Sequence, residues 1–155
     1  MAQKLTQKYV VKGISEPDPA PVYKFWVELG DTIVAEFKEC GGLSIDRKIE
    51  TYREGGVNHF VHKLPGHIEY ANISLKYGIL ADRKLWDWFQ KGLYDASVER
   101  TNFSILLRDV TGEVVRTWSV VDAYPVKWQG PQLSSDGNQI AIETLEIAHH
   151  GLSLS

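Results

Sequence analysis

The 155-residue chain has a single cysteine, Cys40. One cysteine cannot close an internal disulfide, which excludes a disulfide-stapled scaffold and fits synthesis in a reducing compartment. Long apolar runs are also missing. The first residues, MAQKLTQKYVVKG, hold no apolar stretch of signal-peptide or membrane-spanning length, so no Sec-type export and no anchor are expected. Charge of one sign is not in excess. Seventeen basic and twenty acidic residues give a net charge of -3, mixed throughout, and no basic stripe marks a nucleic-acid binder.

Catalytic motifs are equally scarce. Five histidines are present, but His59, His62 and His67 lack the helical His-x-x-x-His spacing of a zinc site. Ser44 follows Gly-Gly-Leu, which is no nucleophile elbow. Asp46, Glu50 and Glu54 alternate with Lys48 and Arg53, the look of a solvated or self-pairing strand face rather than an acid/base pair. Gly41-Gly42 and Gly55-Gly56 lack the Lys-Ser/Thr of a phosphate loop. The expectation is a chain that is not an enzyme and carries no cofactor or metal.

What is present is strand after strand. Tyr23, Phe25, Val27 and Leu29 share one face, Gly30-Asp31 is a hairpin turn, and Thr32 to Phe37 returns with Ile33, Ala35 and Phe37 on one side. Cys40-Gly41-Gly42 ends that hairpin. Before it, residues 1–21 read as an N-terminal arm: Lys4 to Gly13 suits a short strand or helix, and Pro17, Pro19 and Pro21 forbid helix and make an extended connector, so the segment is either a loose tail or an arm that docks on a neighbouring subunit. One helix is predicted over about 82–92. Asp82 sits at its start, Leu85, Trp88 and Phe89 form its apolar face, and Gly92 is a candidate left-handed cap. Strands resume at Asn102 to Val110 and at Val114 to Val121. Ala123-Tyr124-Pro125 is expected to break the run at a sheet edge or a bend. Gln139 to Ala148 is the last predicted strand, with a short tail from 151 to 155. The fold class is therefore mainly β: an antiparallel sandwich or barrel over 22–150 with one flanking helix.

The stretch from Gly41 to Gly78 has the most to say about function. Leu43 to Tyr52 puts Ile45 and Ile49 on one face and Asp46, Lys48 and Glu50 on the other. Arg53 to Lys63 loses periodicity and reads as the tip of a long arm; Leu64-Pro65-Gly66 reads as a turn. His67 to Tyr77 alternates without interruption and is predicted as one strand. Such an arm cannot bury itself in a small sandwich. Tyr52, Arg53, Glu54, Gly55, Gly56, Val57, Asn58, Phe60 and Leu64 are the candidate contacts to a neighbouring subunit. Asp46, Lys48 and Glu50, and likewise Asn72, Ser74 and Lys76, are the polar positions of these strands.

Five tryptophans are generous for this length. Trp88 suits the core; Trp26, Trp86, Trp118 and Trp128 suit either an interface or a sugar-binding face. A carbohydrate-binding β-sandwich is thus the rival reading, and it requires the aromatic rings in one strip.

The order of short pieces resembles a known family. Phe25-x-Val27-x-Leu29-Gly30 is followed by Phe37-x-x-Cys40-Gly41-Gly42-Leu43, then Tyr52-Arg53-Glu54-Gly55-Gly56-Val57-Asn58. Lys63-Leu64-Pro65-Gly66, Asn72-Ile73-Ser74-Leu75-Lys76-Tyr77-Gly78, Leu85-x-x-Trp88-Phe89 and Trp118-x-Val120-x-Asp122-Ala123-Tyr124-Pro125 complete it. This is similar to the tail tube proteins of contractile phages and of phage-derived contractile injection systems. The resemblance implies hexameric rings whose inner strands join into one barrel around a lumen, stacked into a tube, which makes Asp46, Lys48, Glu50, Asn72, Ser74 and Lys76 candidates for the lumen wall. It also implies a sheath outside, baseplate or spike proteins at one end, and cargo or DNA in the lumen. The monomer itself is not expected to bind nucleic acid or membrane stably. A specialised ring at the baseplate end is the alternative within the same machine.

Overall fold

The computed structural model describes residues 24–30, 32–79, 83–94, 97–135, 137 and 140–155. The expected arm at 1–21 lies outside them, as do Tyr23, Asp31, Asp82, Asp136, Asn138 and Gln139. Ten strands and one helix follow in order: β1 Lys24–Leu29, β2 Thr32–Phe37, β3 Glu39–Gly41, β4 Ile45–Tyr52, β5 His62–Tyr70 and β6 Ile73–Gly78. Then come α1 Lys84–Tyr94, β7 Thr101–Arg108, β8 Val114–Gln129, β9 Ile142–Ala148 and β10 Gly151–Leu154. Every described strand pairing is antiparallel. The mainly β class with one flanking helix is what the alternation of the sequence called for.

β8 is the spine. Its first half pairs with β7 and β10, its second half with β9. Sixteen residues in extended backbone span about 50 Å, enough to belong to two sheets. The first sheet runs β2-β1-β7-β8-β10 and the second β8-β9-β6-β3. The expected bend at Ala123-Tyr124-Pro125 lies within β8, which runs on without a break. Asp122 takes φ 52° there, its N–H donates to Asn102 Oδ1 at 3.0 Å, and Ala123 is fully buried. Pro125 falls on the outer strand of the second sheet, where a missing N–H breaks no ladder. At the other end β2 runs through Lys38 into β3, and Lys38 N–H donates to Lys76 O at 2.9 Å. The two sheets are therefore joined by continuous chain along both sides, which makes the body a flattened barrel.

Alternation fills the interior. Ile73, Leu75 and Tyr77 from β6, Leu145 and Ile147 from β9, and Val27, Phe103, Ile105 and Val120 from the first sheet are all buried. Each such side chain contributes about 2 kcal/mol by leaving water. Ile33 departs from expectation. A register shift between Val27 and Glu28 sets it opposite Glu28, and it is exposed. The tail expected at 151–155 is largely β10, which pairs with β8, and Ser155 and Thr117 exchange two backbone hydrogen bonds.

The helix starts and ends two residues later than the sequence suggests. Leu85 and Trp88 face the core, and Trp88 Nε1 donates to Glu99 O at 3.3 Å. Gly92 is inside the helix and is not left-handed, so its role as a cap is corrected. It lies where an added Cβ would touch Val98 at 3.6 Å. Trp86 packs on Trp128 with ring centroids 4.6 Å apart, which closes the helix onto β8.

Candidate assembly surface

β4 and β5 form a two-stranded sheet that pairs with nothing else among the described residues. All eight residues of β4 are exposed. The hairpin nevertheless grows out of the second sheet. β3 pairs with β6 up to Gly41 opposite Ser74, and pairing resumes at Ile45 opposite Tyr70. Three residues on each strand separate the two ladders, so their register is common.

At this link both strands skip one position in their alternation. Cys40 and Leu43 both touch the core, though three residues apart. On the opposite strand Ile73 is buried, and Tyr70 meets the ring of the buried His149 at 5.3 Å. Gly42 makes the skip possible. It takes φ 81°, and a Cβ there would overlap the Asn72 carbonyl. Ser44 N–H then donates to Gly42 O at 2.8 Å. Because the skips oppose each other, the apolar side of the body continues onto the hairpin as Leu43, Ile45, Ile49, Pro65, Ile68 and Tyr70. The polar side continues as Asp46, Lys48 and Glu50. Burial pushes the Cys40 thiol up to about 11, so it stays protonated at neutral pH and chemically quiet.

Two expectations are corrected here. His67 to Tyr77 is not one strand: β5 ends at Tyr70 and β6 begins at Ile73, with Asn72 exposed in the link. Leu64-Pro65-Gly66 is not a turn but part of β5. A register shift between Arg47 and Ile49 accompanies it, and Gly66 passes so close to Lys48 O that a Cβ would come within 2.9 Å. Bulges need the same glycine freedom as turns.

The apolar face is open to solvent. Ile45, Ile49 and Ile68 are 51%, 62% and 43% exposed. The opposite face is charged and internally paired. Lys48 Nζ lies 2.9 Å from Glu69 Oε2, and His67 Nε2 lies 3.0 Å from Glu69 Oε1. The hydrogen bond from Lys48, then that from His67, holds the Glu69 carboxyl below the usual range; the same bond raises Lys48. On the body, Ser74 and Lys76 point away from the core, since Ile73, Leu75 and Tyr77 take the inner side. Lys76 Nζ reaches both Glu39 oxygens at 2.9 Å, and Lys127 lies 3.4 Å from Glu146 on the same face. Sequence reasoning named Lys48 and Lys76 but missed their partners Glu39 and Glu69, whose pairing depends on strand register.

The tip, from Arg53 to Val61, carries the remaining arm residues around a shallow hollow of about 470 Å³. Val57 N–H donates to Glu54 O at 3.3 Å and closes the turn. Phe60 meets His62 edge-on at 4.9 Å, and Glu54 reaches His62 Nε2 at 3.1 Å. Tyr52 joins from β4, 6.5 Å from the His62 ring. Tyr52, Phe60 and Leu64 are all at least half exposed. Among the described residues, no group of three His, Cys, Asp or Glu converges as a metal cage. None of the described helices is long and apolar enough to cross a membrane. The tryptophans form no sugar-binding strip. Trp88 is in the core, Trp118 and Trp128 pack against it, and Trp86 lies on Trp128. Trp26 sits under the Arg108 guanidinium at 5.5 Å.

A closed β body with an unsupported apolar-and-charged hairpin defines a structural subunit that completes itself in an assembly. Residues 21–153 match the model of the T4-like virus tail tube protein gp19 family, and the chain belongs to that family. A comparison with curated sequences finds none that matches. Among solved structures, the chain is similar to one from the PVC sheath-tube complex of an extracellular contractile injection system in its extended state. Identity is 28%, coverage is 92% of this chain and 93% of that one, and the TM-score is 0.79. It is also similar to a chain of the anti-feeding prophage tube-terminating cap, at 27% identity, 96% and 98% coverage and TM-score 0.82. Hcp1 from Flavobacterium johnsoniae shares the fold, at 13% identity, 85% and 94% coverage and TM-score 0.54. The chain is thus a structural tube subunit of a phage tail or phage tail-like particle, in which tube, sheath and baseplate assemble together.

Proposed function

We propose that this subunit forms hexameric rings that stack into the inner tube, and that the β4–β5 hairpin is the connector between subunits. The observation that carries this is the hairpin itself. An isolated two-stranded sheet is marginal in water, and this one exposes Ile45, Ile49 and Ile68 on a single face. That face docks on a neighbouring copy, and Tyr52, Arg53, Glu54, Gly55, Gly56, Val57, Asn58, Phe60 and Leu64 reach further along it. Repeating such a head-to-tail contact builds a filament. Asp46, Lys48, Glu50, Ser74 and Lys76 line the lumen, with Asn72 at its rim. Lys48 and Lys76 are each paired with a glutamate of the same wall, and Asp46 and Glu50 leave it mildly acidic, so it does not grip acidic cargo. The sheath lies outside, and baseplate and spike close one end. The role is mechanical, without catalysis. The subunit is made in the cytoplasm.

A second reading has its own support: similarity to a chain of the tube-terminating cap is as high as to a chain of the sheath-tube complex, which supports a specialised ring of the same particle. Deleting Glu54 to Phe60 tests the connector. Negative-stain images of the wild-type chain should show rings and stacked tubes. The deletion should keep the far-ultraviolet spectrum and lose the tubes; tubes of unchanged length would refute the role of the tip.

A further inference from the structure

His149 lies between β9 and β10 and is 7% exposed. Its Nε2 is 3.0 Å from Ala71 O, and its Nδ1 is 3.1 Å from Gly151 O. Ala71 belongs to the two-residue link from which the hairpin springs, and Gly151 opens β10. The His149 ring also packs on Tyr70, the last residue of β5, at 5.3 Å. One imidazole therefore joins the root of the hairpin to the C-terminal strand.

A carbonyl oxygen only accepts, so each ring nitrogen has to donate. Neutral imidazole carries one N–H and the imidazolium carries two. We propose that His149 is a proton-dependent clasp on the hairpin root. With both nitrogens protonated, it ties Ala71 to Gly151. Loss of either proton sets a lone pair against a carbonyl lone pair, and one of the two ties opens. The clasp closes as pH falls and loosens as pH rises. The titratable and charged groups around it are few. Tyr70 faces it from β5. His150 follows it in the chain but points elsewhere, 3.6 Å from Asp122 of β8 and 3.0 Å from Arg100 Nη1. Arg100 in turn lies over the Tyr124 ring of β8 at 5.1 Å. The hydrogen-bond partners of His149 are the two carbonyls. The consequence is a hairpin whose angle to the body is held more firmly in mildly acidic surroundings.

The test uses the full-length chain, kept dissociated by dilution, so it stands apart from whether the hairpin builds rings. Nitrogen-15 spectra of the imidazoles read protonation and tautomer directly. Amide exchange at Ala71, whose N–H donates to Ser44 O across the link at 3.5 Å, reads the opening of the root once corrected for intrinsic rate. Both His149 nitrogens should be protonated at pH 5.5. Ala71 protection should fall by about fivefold as that proton leaves, because a root held by one net hydrogen bond fewer opens more often. His149→Gln should remove this pH response, since an amide does not titrate; if that variant does not fold, the wild-type titration decides alone. His150→Gln should leave the response intact. A single protonated nitrogen on His149 across pH 5.5 to 8.5 would overturn the clasp. So would equal Ala71 protection at both ends, or loss of the response in His150→Gln.

Discussion

Gly42 shows how much of the hairpin rests on one residue. Its positive φ and the Asn72 carbonyl against its α-carbon leave no room for a side chain. Gly41, one residue earlier, has open space around its α-carbon and is not left-handed. The pair offers a controlled comparison. Gly42→Ala should destabilise the chain by about 2 kcal/mol or more, from strain and the clash together. Gly41→Ala should change stability by no more than about 1 kcal/mol in either direction. Urea unfolding midpoints of the two variants check this. Equal midpoints would mean that the link can skip a position without glycine. The sequence showed the glycine pair but not which member mattered, because the difference lies in the Asn72 carbonyl thirty residues away.

At the scale of elements, alternation was readable and its interruptions were not. Ile45 and Ile49 stood opposite Asp46, Lys48 and Glu50 in the sequence, and they stand so on β4. The strand from His67 to Tyr77 looked unbroken because period two runs straight through Ala71 and Asn72. Only contacts across the sheet reveal that both strands skip a position together. Leu64-Pro65-Gly66 was read as a turn because bulges and turns draw on the same residues. The long β8 was cut at Pro125 for a similar reason, since proline signals an edge and a break alike. The two faces of the hairpin make separate predictions. Replacing Ile45, Ile49 and Ile68 together by Ser removes apolar side chains that the monomer leaves about half exposed. Thermal unfolding of the monomer should move little, while sedimentation should show assembly lost. A comparable loss of monomer stability would place these side chains in an intramolecular contact instead of a docking face.

The whole molecule is a barrel with a polar outer wall on which three lysines are each paired with a glutamate. Lys76 answers Glu39, Lys127 answers Glu146, and Lys48 answers Glu69. On a free monomer such exposed pairs contribute little to stability. In a ring they would face their own copies across a narrow channel, where an unbalanced charge repels itself. Lys48→Glu combined with Lys76→Glu makes this visible. The monomer should fold as before, because neither lysine supports the core. Assembly should become salt-dependent, failing near 20 mM salt and recovering near 500 mM, as the screening length falls from about 20 Å to about 4 Å. Light scattering across that range, with microscopy at both ends, is the measurement. Tubes of equal yield at low and high salt would mean that the altered residues do not share an enclosed wall. The polar side of the hairpin and of β6 would then face outward, toward the bulk or the sheath. Salt-rescued assembly would instead put Asp46, Lys48 and Glu50 on the same lumen as Ser74 and Lys76, the arrangement that the paired skips at Gly42 and Asn72 make geometrically possible.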